Sequence, residues 1–261
     1  MTEKRIDSID FWRGAVLAII FINHLPGNVL GNFTPRNYGF SDAAEAFVFI
    51  SGLSVVLAYG RRFQLGSALE ASTLLVMRAV RLYAVHIVLT ASALVLFAAA
   101  TILTGQDAFL NEHGRSTPFA DPIRGAVGIM TLGHQIGYFN ILPLYVTLLA
   151  FAPALCLLGA RDRWRMLLVS AGLYALSRST GVNLPSWPDP GDWFFNPIAW
   201  QFMCALGIFV GLSMREGGIP FHAGIYRFAL IFTCASAIVV SNALGFVPGL
   251  ADVAGAYLDW G

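Results

Sequence analysis

Apolar residues run along this chain in blocks of about twenty, and the polar residues collect between them. The blocks lie near 11–31, 43–60, 81–103, 139–159, 166–182, 194–213 and 223–245. Each has the length that a hydrocarbon core about 30 Å thick demands of a helix. Inside a bilayer the backbone must satisfy its own hydrogen bonds, and helices do so within one segment. The pattern therefore predicts an all-α fold, a polytopic membrane bundle of about seven spans within a single domain over 1–261.

The connecting segments differ in kind. Residues 63–77 repeat apolar positions at helical spacing, which predicts a helix lying along the membrane surface. Residues 104–138 are rich in Gly, Pro and Asn and read as a cap on one side of the membrane. The tail 246–261 follows the last block on that same side.

Basic residues orient the map. With the N-terminus inside, the inner segments hold Lys4, Arg5, Arg13, Arg61, Arg62, Arg78, Arg81, Arg161, Arg163, Arg165, Arg215 and Arg227. The outer segments hold Arg36, Arg115, Arg124 and Arg178. Shifting the map by one span reverses this bias, so the N-terminus is expected in the cytoplasm. Trp12, Trp187, Trp193 and Trp200 fall near block ends, as interfacial anchors do.

Composition adds exclusions. The chain is 57% apolar and only 12% charged, with a net charge of +1, so no basic footprint for nucleic acid is present. Cys156, Cys204 and Cys234 lie far apart in apolar runs, without metal or disulfide spacing. No metal site is expected. The first block is too long for the apolar core of a signal peptide and carries Arg13 and His24, so it is expected to remain as the first span.

Ionisable groups inside spans are costly and therefore mark function. His24 follows Arg13 by eleven residues in WRGAVLAIIFINHLP. In a helix that spacing is roughly 16 Å along the axis and about 20° around it. Arg13 is then at the cytoplasmic edge and His24 near the midplane on the same stripe. A long anionic ligand entering from inside would dock phosphates on Arg13 and present its far end to His24. The plainer alternative is a histidine bonded to a neighbouring helix, with Arg13 as an orientation signal.

Glu45 opens the second block, where it suits orienting an imidazole or holding an acceptor. Equally, it suits a helix N-terminus capped by Ser41. Ser51-Gly52 is expected level with His24, with Gly52 permitting close helix approach and Ser51 a cross-helix hydrogen bond. Arg78 and Arg81 share a helix face at the expected inner surface, which suits phosphate, or ordinary anchoring. His86 stands behind them. Tyr145, Asn196 and Gln201 are candidates for an outer substrate pocket, or for interface anchors.

Taken together, Arg13-x10-His24, Ser51-Gly52-Leu53 and Arg78-x-x-Arg81 resemble the transmembrane acyltransferase superfamily. The fuller set, IDFWRGAVLAIIFINHLP, SDAAEAFVFISGL, RAVRLYAVH, ILPLYVTLL and FNPIAWQF, is similar to the OpgC family, which succinylates osmoregulated periplasmic glucans. The resemblance implies a bacterial inner-membrane enzyme that takes an acyl group, succinyl by this likeness, from cytoplasmic acyl-CoA to a glucan hydroxyl outside. It implies His24 as the catalytic histidine, with Glu45 beside it, and Arg13, Arg78 and Arg81 as donor-phosphate ligands. Ser51, His86, Tyr145, Asn196 and Gln201 are the expected substrate-binding residues. No permanently bound cofactor is expected. The family usually has about ten spans, so a short or C-terminally truncated member is expected. The rival readings are a proton-coupled transporter or flippase using His24 and Glu45, and an inactive membrane scaffold.

Overall fold

The computed structural model describes residues 7–218 and 222–240. Its helices are α1 (Asp7–Asn23), α2 (Ala43–Gln64), α3 (Ala68–Thr104), α4 (Ala108–Asn111), α5 (Thr117–Ala120), α6 (Pro122–Met130), α7 (Ile141–Arg161), α8 (Arg163–Thr180), α9 (Pro197–Arg215) and α10 (Ala223–Val240). Among the described residues the only strand-like pairing is an isolated bridge between Pro185 and Asp192. The all-α expectation holds. Residues 1–6, 241–245 and the tail 246–261 lie outside the described residues, and with them Lys4, Arg5 and the end of the last apolar block.

Among the described residues five helices, α2, α3, α7, α9 and α10, are long and apolar enough to cross a membrane. They match the second, third, fourth, sixth and seventh blocks. Helix α1 has 17 residues, and α8 has 18 that include Arg163, Arg165 and Arg178. The outer faces tell the same story as the lengths. Val88, Val95, Leu96, Ile102 and Leu103 of α3 are exposed, as are Ile225, Phe228 and Ile231 of α10. Only 6% of the most apolar stretch of α10 is buried. Water would not tolerate such faces, whereas lipid solvates them.

The chain divides into two compact units, Met1–Ser51 with Ser213–Gly261, and Gly52–Leu212. In the second unit, glycines set the helix spacing. A Cβ on Gly52 would run into the Cys204 carbonyl of α9, and one on Gly211 would stand 3.0 Å from the Val56 Cβ. Helices α2 and α9 therefore touch almost backbone to backbone, the close approach expected of Gly52. Gly159 of α7 instead makes room for side chains, since a Cβ there would stand 2.8 Å from the Leu212 Cδ1 and 3.0 Å from the Met166 Sδ. A single residue, Asp162, turns α7 into α8, its carboxylate accepting from the Trp164 and Arg165 amides.

The surface helix expected over 63–77 is absent. Residues 63–64 finish α2, and three residues with Gly66 at φ 88° turn the chain directly into α3. From Ala68 to Thr104 the sequence has neither Gly nor Pro, so nothing stops the helix for 37 residues. At 1.5 Å per residue α3 is about 55 Å long, well beyond a bilayer core. Its helical periodicity over 68–77 was real; its separation from the third block was not. Arg78 and Arg81, expected where that block begins, stand instead about 15 and 20 Å along α3 from its start.

Candidate functional site

The expected site residues divide between the two units. Arg13, His24, Glu45 and Ser51 belong to the first, and Arg78, Arg81, His86, Tyr145, Asn196 and Gln201 to the second.

In the first unit, His24 stands one residue past the end of α1 rather than inside a helix. Pro26 biases Leu25 away from helical backbone, and Gly27 turns left-handed at φ 70°. The Asn28 amide then donates to the Ile22 carbonyl at 2.9 Å, satisfying a helix-end acceptor. His24 is exposed, and its Nδ1–H donates to the Ile20 carbonyl at 2.6 Å. That bond fixes the proton of the neutral ring on Nδ1 and makes Nε2 its basic nitrogen.

Helix α2 begins at the same corner. The Asn23 amide donates to Asp42 Oδ1 at 2.8 Å, and Glu45 Oε2 accepts from the Asp42 amide at 2.8 Å. Glu45 is thus the reaching arm of a capping box, with Asp42 rather than Ser41 in the cap position. Arg13 pairs loosely with Asp10 at 3.7 Å. Ser51 is buried and donates to its own helix, at the Phe47 carbonyl, 2.7 Å away.

In the second unit, Arg78 Nη2 donates to the Tyr145 hydroxyl at 3.2 Å, tying α3 to the start of α7. Arg81 is exposed. One turn apart on α3, His86 and Thr90 are fully buried, and neither ring nitrogen nor the threonine Oγ1 has a partner among the described residues. Asn196 caps α9 through the Ile198 amide and donates to Ser177 Oγ and the Val182 carbonyl, each at 2.8 Å. Gln201 accepts from Ser170 Oγ at 2.6 Å and donates to the Ser170 carbonyl at 2.9 Å. These two side chains stitch α8 to α9.

The second unit also holds a cavity of about 300 Å³ at whose heart is a residue that sequence reasoning passed over, His134. Two loops build it. After α6, Leu132 adopts φ 62° and the His134 amide bonds the Gly128 carbonyl at 2.9 Å, folding Gly133-His134-Gln135-Ile136-Gly137 back on the helix. Facing it, residues 184–193 form a hairpin, closed by Ser186 N to Gly191 O at 2.8 Å and Trp193 N to Leu184 O at 2.9 Å. Trp187 N to Gly133 O, 3.2 Å, joins the loops. Gly128 makes this possible, since a Cβ there would stand 2.6 Å from the Trp187 carbonyl.

At the hairpin tip Asp189 is pinned by the Thr117 hydroxyl at 2.8 Å, and its other oxygen lies 3.3 Å from His134 Nδ1. The His134 side chain is only 3% exposed, and its Nε2 has no partner among the described residues. A carboxylate beside Nδ1 holds the neutral ring's proton there and leaves Nε2 an acceptor. Gly114 lies against that edge, where a Cβ would make ordinary contact, 3.4 Å from the ring Cε1 and 4.0 Å from Nε2. The sequence hint was a histidine between glycines in an otherwise loop-like stretch; its carboxylate partner is far away in the chain.

A family model described as OpgC protein matches residues 5–257. No curated protein matches, and no solved structure matches.

Proposed function

From the premise that the chain belongs to the OpgC protein family, we propose that it is a membrane-embedded O-acyltransferase. It moves an acyl group, succinyl, from cytoplasmic acyl-CoA to a hydroxyl of a periplasmic glucan. The family match over nearly the whole chain carries this reading, and the five apolar helices fit it. In the same reading α1 and α8 are also spans, the N-terminus is cytoplasmic, and the protein is a single multi-pass domain of the bacterial inner membrane.

The chemistry proceeds through His24. With its proton fixed on Nδ1 by the Ile20 carbonyl, Nε2 takes the proton of the acceptor hydroxyl as that oxygen attacks the thioester carbonyl. The tetrahedral adduct collapses, the carbon–sulfur bond breaks, and the imidazolium returns the proton to the departing thiolate. Glu45 is held at the same corner by its bond to Asp42 and supports the acceptor there. Arg13, Arg78 and Arg81 carry the donor's phosphates. Ser51, His86, Tyr145, Asn196 and Gln201 contribute to substrate binding, directly or by fixing the helices that line its path.

His24→Ala is expected to abolish acyl transfer from succinyl-CoA while membrane insertion and thermal midpoint persist. His24→Ala with wild-type turnover would remove His24 from the mechanism. Arg78→Ala and Arg81→Ala are expected to raise KM for the donor about tenfold each, one lost charge-assisted hydrogen bond's worth, with kcat less affected.

A further inference from the structure

The cavity around His134 is built like a binding site rather than a packing void. A void in an apolar core is lined by methyl groups and stays dry. Here the lining includes Gln135, Asn140, Ser186, Asp189 and Asp192, together with the Phe194 ring, which is 77% exposed. The side chains of Asn140, Ser186 and Asp192 make no hydrogen bond among the described residues. An imidazole nitrogen left buried and unpartnered costs free energy that a nearby ligand donor would recover. His134 Nε2 is such a nitrogen, with Asp189 beside Nδ1 and the side-chain-free Gly114 against its Cε1 edge.

The donor and acceptor inventory selects a ligand class. Nε2 and two carboxylates accept, the Gln135 and Asn140 amides, the Ser186 hydroxyl and the His113 ring donate or accept, and an aromatic face stands at the rim. Two carboxylates repel an anion, and among the described residues no group of metal-ligating side chains suits a metal ion. What fits is a neutral molecule whose hydroxyls both give and take hydrogen bonds and whose ring carries an apolar face. The volume is at the small end of ligand sites, enough for one ring rather than a long chain. We propose that this cavity seats one sugar unit of the acyl acceptor, with His134 Nε2 accepting a hydrogen bond from a ring hydroxyl. The assignment of that sugar as the acceptor rests on the acyltransferase reading; the binding of a neutral polyol does not.

The test is titration calorimetry of the full chain in nanodiscs with a β-linked glucose disaccharide. Saturable binding is expected for the wild type, weaker by about tenfold in His134→Phe, which keeps ring volume and removes Nε2. Asn140→Ala and Ser186→Ala, at half-buried rim positions that leave the fold intact, are expected to weaken it several-fold. Glucuronate in place of glucose is expected to bind less well. Absence of wild-type binding, rim variants indistinguishable from wild type, or tighter binding of the acidic sugar would each overturn the proposal. His24→Ala separates the two readings: it should bind the disaccharide like wild type while losing acyl transfer. Sugar binding without transfer in the wild type would sink the enzyme reading alone, and transfer with no sugar bound at this cavity would sink the cavity alone.

Discussion

A histidine whose two nitrogens are buried without a partner among the described residues, as in His86, carries a free-energy cost unless something uses it. The hydroxyl of Thr90 one turn away doubles the debt. Replacing His86 with Leu removes the unsatisfied group at similar bulk, so the thermal midpoint is expected to hold or rise, by the equivalent of about 1 kcal/mol. If His86 serves substrate binding, acyl transfer falls in the same variant, the usual exchange of activity for stability. A lower midpoint with unchanged transfer would make His86 a structural residue. Among single residues, His24 and Arg13 could be picked out as candidates because ionisable groups inside an apolar block stand out. His134 was not. It lies in a polar loop where histidines are common, and only folding brings the Asp189 hairpin against it.

Helices meet in this protein where side chains are missing. Gly52→Val is expected to push α2 from α9 and destabilise by about 2–3 kcal/mol, because the obstacle is the Cys204 backbone and cannot rotate away. Gly172, in α8, meets nothing within 4 Å, so Gly172→Ala is expected to be neutral or stabilising by about 0.5–1 kcal/mol. Paired thermal-shift measurements on the two variants check the contrast; similar losses in both would deny the close α2–α9 contact. Gln201→Leu tests the polar stitch, with about 1–3 kcal/mol of loss expected from stranding the Ser170 hydroxyl and carbonyl. Apolar block length gave the positions of the long helices well. It misplaced the start of α3, because block reading follows hydropathy and α3 is continued through Arg78 and Arg81 by the absence of any breaker. It also missed that Pro26 and Gly27 end α1 before His24.

For the whole molecule, the proposed reaction links orientation to activity, since its donor and acceptor reach the protein from opposite sides. Cysteines placed at Leu65, in the α2–α3 turn, and at Glu112, after α4, are exposed reporters. A membrane-impermeant maleimide is expected to label Glu112→Cys in intact cells and Leu65→Cys only after disruption. The reverse would invert the map drawn from the arginines. The most direct measurement of the central claim supplies labelled succinyl-CoA to the cytoplasmic face of sealed membranes that contain the full chain and an enclosed glucan. The account predicts ester-linked label on the glucan, dependent on the protein and lost in His24→Ala. Label that stays with CoA, or that reaches the glucan equally without the protein, would contradict it.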